Sequence, residues 1–343
     1  MTSTALEGTP TPAELAAAAG RSAALPALGF RLYDSIEAAE PVWRRLEAEA
    51  ILTPYQRFDW IAPLAAARAG GRMSQAVVVI ELEAKPVALM PLEIGRKLGV
   101  RRATLFGADI GNADWLVVLP EAAPLLTRAR LAPLLAAAGR AAGIDLISLF
   151  NQPATWGGLA NPLLAFVHQP APDNLYRGAL GPDGTFNRFD SKRLQNLLRR
   201  RRKLGEQGGG EVVLRAAATV DDIDRMHAAF LEQRAARFAQ MGIANIFAEP
   251  DFVRFFREAA LASLGQRRPA MIFHALHAGD AIVATAIGTF SGTHYSQYIN
   301  ATSSDPAIAK FRLIGLLMHA LFVDVAERGG TTIDMGLGDF DYK

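Results

Sequence analysis

The chain reads as a mixed α/β protein in which one structural unit is written twice. Three observations predict this. A strand, two helices, three strands, a long helix and a further strand follow one another before Phe150, and the same order returns after Glu211. The two runs match in order and spacing while sharing little residue identity, so the repeat is one of architecture. Between them lies a stretch rich in Pro, Gly and Asn that no long regular element should cross.

In the first unit, GFRLY (Gly29 to Tyr33) reads as a strand, followed by helical periodicity over Ile36 to Ala50 and Pro54 to Ala69. AVVVIEL, VALMPLEI and VRRATLF are strand-like, Ala122 to Ala142 is helical, and IDLISLF closes the unit. Residues 151–190 contain Trp156, Leu163 and Leu164 among the breakers, which predicts a packed connection. Residues 1–28 lack the basic start and apolar core of a secretory signal and read as a flexible extension. The expected division is therefore 1–28, a first domain over 29–150, the connection, and a second domain over 191–343.

The second unit begins with a helix that Asp190 or Ser191 can cap. Leu194, Leu197, Leu198 and Leu204 recur at helical spacing, Arg199 to Lys203 lie around the solvent side, and Gly205 and Gly208 to Gly210 mark the end. EVVLRAA (Glu211 to Ala217) is the next strand. Thr219 and Asp222 form a capping box for a helix reaching Met241, with Ile223, Met226 and Phe230 along its inner face. Pro250 suits the first turn of another, running to Leu264, whose Phe252, Phe255 and Phe256 read as core. MIFHALH, AIVATAIGTF and THYSQYIN are separated by short turns and predict an antiparallel meander. Regular alternation puts Tyr295, Gln297 and Ile299 on one face of its last strand, with Ser296, Tyr298 and Asn300 on the other. A helix over Ile308 to Arg328 and the strand TTIDMG complete the unit.

Composition narrows the function classes. At 343 residues, 50% hydrophobic and 20% charged, the chain has the makings of folded domains and not of a disordered segment. A net charge of +2 gives little support to a dedicated nucleic-acid binder. With no cysteine there are no disulfides, thiolate nucleophiles or Cys-based metal sites. No apolar stretch is long enough to span a bilayer, and a cytoplasmic enzyme is the expectation.

The strongest local site begins where the meander gives way to a helix. The loop Ala301 to Ala307 precedes a periodic helix, and the unpaired amides at such a start bind phosphate, with Lys310 and Arg312 adding charge and Gly315 permitting close approach. Neither GxxxxGK[ST] nor GxGxxG is present, and an ordinary helix start with its charges in water is the other reading. His227 titrates near neutral pH and shares a helix with Arg234 and Arg237, so it either faces an acceptor cleft or serves structure. His274 and His277 fall on opposite strand faces, against shared metal ligation; no metal is expected. Asp334, Asp339 and Tyr342 form a polar group around Gly336 and Gly338, either a site or a tight turn that caps the core. In the first unit Asp109, Asn112, Asp114 and Trp115 cluster, and the stretch corresponding to the phosphate loop carries Asp114 and Glu121 where bases would be needed.

The segments KRLQNLLRRRRKL, HAAFLEQRAARF, INATSSDPAIAKFRLIGLLMHALFVDVAERG and TIDMGLGDFDYK resemble the acetyltransferase family associated with cellulose biosynthesis (CelD/BcsL type), within the GCN5-related N-acetyltransferase (GNAT) superfamily. Asp334, Gly336, Gly338, Asp339, Tyr342 and Lys343 occupy that family's terminal pattern. TPYQRFDWIAPLAAA and FGADIGNADWLVVLP extend the resemblance more weakly into the first half. The paired arrangement is similar to that of FemX-type peptidyltransferases, which use aminoacyl-tRNA, although the long helical arms of some have no room here.

The resemblance implies tandem GNAT folds, each a mostly antiparallel sheet flanked by helices, with the first degenerate and shaping the acceptor cleft. It implies acetyl-CoA or another acyl-CoA as donor. The pantetheine would lie along Tyr298, Ile299 and Asn300, and the diphosphate against Lys310, Phe311, Arg312, Leu313 and Gly315. Asp339, Tyr342 and His227 are then the candidate catalytic residues, and Arg234, Arg237 and Asp334 the candidate acceptor contacts. The acceptor would be a small molecule, a saccharide or an envelope component receiving the acyl group directly. Two alternatives stand beside this: aminoacyl transfer from charged tRNA, to which the basic helix Lys192 to Lys203 lends support, and a noncatalytic scaffold for polysaccharide or envelope assembly.

Overall fold

Each half of the chain builds one six-stranded sheet, and the computed structural model describes residues 25–185 and 191–338. In chain order the first lobe contains β1 (Leu28–Tyr33), α1 (Ile36–Glu49), α2 (Phe58–Ala67), β2 (Ser74–Leu82), β3 (Lys85–Lys97), β4 (Val100–Leu105), β5 (Val117–Val118), α3 (Arg128–Ala142) and β6 (Leu146–Ile147). Its sheet runs β1-β2-β3-β4-β6, with β5 added to β3. Ser35 starts α1 by accepting from the Ala38 amide at 3.1 Å, and Gly143 ends α3 in the left-handed conformation at φ 65°.

The connection is packed and contributes to both lobes. It forms a small hairpin, β7 (Thr155–Trp156) with β8 (Leu159–Ala160), then β9 (Leu175–Ala179), which pairs antiparallel with the last strand of the second sheet. The second lobe continues with α4 (Ser191–Gly208), β10 (Val212–Ala216), α5 (Val220–Met241), α6 (Pro250–Ala262), β11 (Ile272–Ala278), β12 (Ala281–Ser291) and β13 (His294–Thr302). A single turn α7 (Pro306–Ala309), the helix α8 (Leu313–Glu327) and β14 (Thr332–Leu337) finish it. The meander is present as predicted, and the sheet order is β10-β11-β12-β13-β14-β9.

Three expectations are corrected. The helix drawn from Ala122 begins only at Arg128, because Pro124 sits in a separate 3-10 turn, Ala123–Leu125, ahead of it. The helix drawn from Ile308 is broken at Arg312, whose φ of 55° ends one helical segment and starts the next. The strand alternation fails at Tyr298, where a bulge opposes Gln297 and Ile299 to the consecutive residues Gly288 and Ile287. Tyr298 and Ile299 therefore both pack against the core shared with the first lobe, while Tyr295 lies in the core under α8. The capping role drawn for Asp190 or Ser191 rests on side chains outside the described set.

The layers follow from which helix faces are apolar. α1 and α2 cover one face of the first sheet, α5 and α6 one face of the second, and these faces meet in a single core containing Trp43, Trp60, Phe230, Phe255, Phe256 and Phe273. Trp60 stands edge-on to Phe255 at 5.1 Å across this seam. α3 closes the outer face of the first sheet and α8 that of the second.

Candidate active site

The site is built by two parallel strands that part. β13 and β14 pair over only three positions, His294 with Thr332, Tyr295 with Ile333 and Ser296 with Asp334, whereas β13 continues to Thr302 against β12 on its other edge. Beyond Ser296 and Asp334 a gap therefore opens between the two strands. β14 turns away through Gly336 at φ 72°, and its amide binds Asp334 Oδ1 at 2.9 Å. A β-carbon at Gly336 would lie 3.1 Å from Asn112 Nδ2, so the first lobe lies close against β14 just past the last pair.

At the far end of β13 the chain reaches the start of α8. The Gly315 amide is bonded to the Arg312 carbonyl at 3.1 Å, and by helix geometry the amides of Leu313 and Ile314 have no carbonyl within the helix to meet. Arg312 offers no side-chain cap, and it and Lys310 are exposed beside this start. Such an end attracts anions through its amides and its dipole. Leu197 of the basic helix α4 packs alongside, 3.7 Å from the place a Gly315 β-carbon would take.

The vertex of the gap is a chain of buried polar groups crossing the lobes. Asp334 is fully buried and accepts from Ser296 Oγ at 2.8 Å, with His294 Nε2 at 2.8 Å from its second oxygen. The Tyr55 hydroxyl, carried on the 3-10 turn Pro54–Gln56 of the first lobe, lies 2.6 Å from Ser296 Oγ, and Asn112 Nδ2 donates to it at 2.9 Å. Burial first, then the Asp334 charge, pushes the Tyr55 phenol well above its ordinary value. On the other side of the vertex, His294 and Thr332 line an inter-lobe cavity of about 720 Å³ together with Trp156 and Arg177.

Comparisons with known proteins bear on the fold. Residues 191–343 match the family model described as Acetyltransferase (GNAT) domain. The crystal structure of FemX superposes with a TM-score of 0.56 at 10% identity, covering 91% of this chain and 89% of that one. L-PGS from Bacillus licheniformis gives 0.51 at 12% identity, over 88% of this chain and 76% of that one. A conserved protein of unknown function from Bacteroides thetaiotaomicron gives 0.51 at 10% identity, over 90% of both chains. No curated protein sequence matches.

The fold is that of the GNAT acyltransferases.

Within the tandem GNAT frame the predicted residues separate clearly. Tyr298, Ile299 and Asn300 line the β13 side of the gap, with the Tyr298 ring 5.2 Å from Trp60 and its phenol pushed up by burial. Phe311 and Leu313 are buried, so they offer a ligand backbone and not side chains. Arg234 lies over the rings of Phe238 and Phe247 and donates to the Asn300 carbonyl at 3.4 Å; Arg237 is exposed on the same helix. Asp334 is at the vertex, but its burial makes it a member of the hydrogen-bonded chain and removes it from direct acceptor contact.

His227 is corrected more strongly. Its ring sits beside Phe273 at 5.5 Å and Phe256 at 6.3 Å with 5% exposure, and burial lowers its pKa to about 4. It packs α5 onto the sheet. Asp339 and Tyr342 lie outside the described residues. Among the described residues, no three His, Cys, Asp or Glu side chains gather as a metal site, and no helix is long and apolar enough to cross a membrane.

Tyr55, Asn112, Ser296 and His294 were not singled out as site residues from sequence. Tyr55 and Ser296 are 241 positions apart, and no local pattern links them. The one available signal was Asn112, which belongs to the polar cluster noted in the first unit.

Proposed function

We propose that the chain is an acyltransferase that draws the acyl arm of a phosphate-bearing donor into the gap between β13 and β14 and passes the acyl group directly to an amine or hydroxyl. The observation that carries this reading is the parting of the two strands after three pairs, ahead of a helix start with free amides. With acyl-CoA as donor, the pantetheine amides pair with the open edge at Tyr298 to Asn300, and the diphosphate meets the backbone from Lys310 to Gly315. The electron pair of the acceptor attacks the thioester carbonyl, the C–S bond breaks, and the thiolate is protonated. Asp339 and Tyr342, which follow β14 in the chain, are proposed to orient the thioester on the donor side. Arg234 and Arg237 are proposed to meet the acceptor, for which the cellulose-related resemblance favours a saccharide.

A second carrier has its own support. FemX and L-PGS resemble this chain over 91% and 88% of its length, whereas the acetyltransferase model matches the second half alone. Lys192, Arg199, Arg202 and Lys203 stand exposed on α4 next to the α8 start, an extended cationic face of the kind a nucleic-acid backbone requires. The comparisons thus weigh toward aminoacyl-tRNA, and the small net charge toward acyl-CoA.

Calorimetry with CoA and acetyl-CoA, run beside filter binding of charged tRNA, tests the pair. CoA binding that weakens in Arg312→Ala supports the first donor. Charged tRNA binding lost in the triple variant Arg199→Ala, Arg202→Ala, Lys203→Ala, without CoA binding, moves the assignment to the second. Absence of both overturns acyl transfer.

A further inference from the structure

The hydrogens of the vertex chain all point one way. Ser296 has a single hydroxyl hydrogen and donates it to Asp334 Oδ1 at 2.8 Å. Tyr55 must therefore be the donor in its 2.6 Å contact with Ser296 Oγ, and Asn112 Nδ2 donates to the Tyr55 oxygen at 2.9 Å. Asn112 to Tyr55 to Ser296 to Asp334 is an oriented relay that begins on the half-buried Asn112 of the first lobe and ends on a carboxyl group with no exposure. His294 Nε2 at 2.8 Å holds the other carboxyl oxygen, and Thr332 Oγ1 holds His294 Nδ1 at 2.8 Å, so the end of the relay is fixed in place.

We propose that this chain is the proton path of the transfer reaction, and that the first lobe supplies its entrance in Tyr55. The inference rests on the acyl-CoA reading above. An acceptor entering the gap replaces Asn112 as the partner of the Tyr55 oxygen. As its N–H or O–H bond breaks, the proton joins Tyr55, the Tyr55 proton passes to Ser296, and the Ser296 proton passes to Asp334, which becomes a neutral carboxylic acid. The new acyl bond forms as the C–S bond breaks. The proton returns along the same groups to the departing thiolate, so the net products are the acylated acceptor and free thiol. Tyr55 never needs to ionise, which agrees with a buried phenol whose anion is strongly disfavoured. His294 is a positioning residue for Asp334.

The test uses the full chain with acetyl-CoA as donor and hydroxylamine as the acceptor probe, with CoA affinity measured separately by calorimetry. Tyr55→Phe and Ser296→Ala each keep CoA affinity and lower kcat roughly 100-fold, the usual scale of a positioned proton-transfer group. The double variant loses no more than either single one, because both cut the same path. The wild-type solvent deuterium isotope effect on kcat disappears in each, which a merely structural contact would not cause. Should Tyr55→Phe fail to fold, Ser296→Ala decides alone. Retained kcat and isotope effect with intact CoA binding overturn the relay and leave acyl transfer standing. Absence of CoA binding in the wild type overturns both.

Discussion

The two lobes share one core order of elements and differ most at the connection after the fourth strand of each. In the first lobe β4 ends at Leu105, and the chain folds back so that β5 pairs with β3 at Ala88 and Leu89. Trp115, Leu116, Val117 and Val118 are all without exposure, and β5 takes the place along β3 that the far half of β13 takes along β12. In the second lobe β13 runs on along β12, and the chain turns at once into α7 and α8. The two sheets therefore share their order while the edge of the third strand is completed by one long strand in the second lobe and by two short ones in the first. The first lobe reaches into the second, placing Tyr55 and Asn112 over the vertex between β13 and β14.

Each lobe also buries one carboxyl group without exposure to speak of, and their surroundings are opposite. Asp334 has Ser296, His294 and the Gly336 amide around it. Asp114 is 1% exposed with no hydrogen-bond partner on either oxygen, and burial, reinforced by Asp109, raises its pKa well above the ordinary value. Asp334→Ala strands three polar groups and is expected to cost about 3–5 kcal/mol in urea unfolding. Asp114→Asn removes an acid that prefers to be neutral, and is expected to be neutral or stabilising at pH 7. Equal losses in the two variants would break the contrast.

Acid sharpens it further, because the signs differ. All six histidines follow Phe150, so the first lobe has none. His227 has a folded pKa of about 4 against 6.5 for an ordinary histidine; its neutral form favours folding fully above 6.5, and that stability is lost as pH falls toward 4. The loss reaches about 3 kcal/mol at most. Asp114 works the other way. Its raised folded pKa means the native state holds a proton that the unfolded chain releases, so its contribution is present in acid and lost as pH rises. Between pH 6.5 and 4 the second lobe should weaken while the first does not. Hydrogen exchange at pH 4.5 is expected to open β11 and α5 before β2 and β3, and His227→Leu to remove most of the difference. Uniform protection across both sheets would refute this.

Much of this architecture was legible because it is local. The capping box at Thr219 and Asp222, Pro250 at a helix start and the short turns of the meander each specify their element within a few residues. The loop ahead of α8 was recognisable for the same reason. What could not be read depends on backbone geometry or on distance along the chain. Nothing in the composition around Arg312 announces a left-handed residue, and the bulge at Tyr298 preserves an alternating sequence while breaking its two-faced outcome. His227 looked available because titratable residues on amphipathic helices often are; its neighbours Phe256 and Phe273 come from a different helix and a strand. The vertex needed both lobes at once, with Tyr55 and Ser296 too far apart in sequence for any pattern to join.

The smallest expected effect compares one glycine in each lobe. Gly315 lies in the first turn of α8, where an added β-carbon would meet only Leu197 at 3.7 Å, and Gly139 lies within α3, where it would meet the Ile144 carbonyl at 3.5 Å. Both are ordinary contacts, so alanine at either position should stabilise its helix by about 0.5–1 kcal/mol. Their effects on ligand binding should differ. If the proposed donor's phosphates meet the amides at the start of α8, a methyl group at Gly315 stands in their way, and CoA affinity is expected to fall roughly tenfold, about 1.4 kcal/mol. At Gly139 no donor approaches, and affinity should not change. A pair of thermal melts and titrations checks both halves: stabilisation without weaker binding at Gly315 would move the phosphates away from the start of α8, whereas weaker binding at Gly139 would mean that the first lobe's helix also takes part.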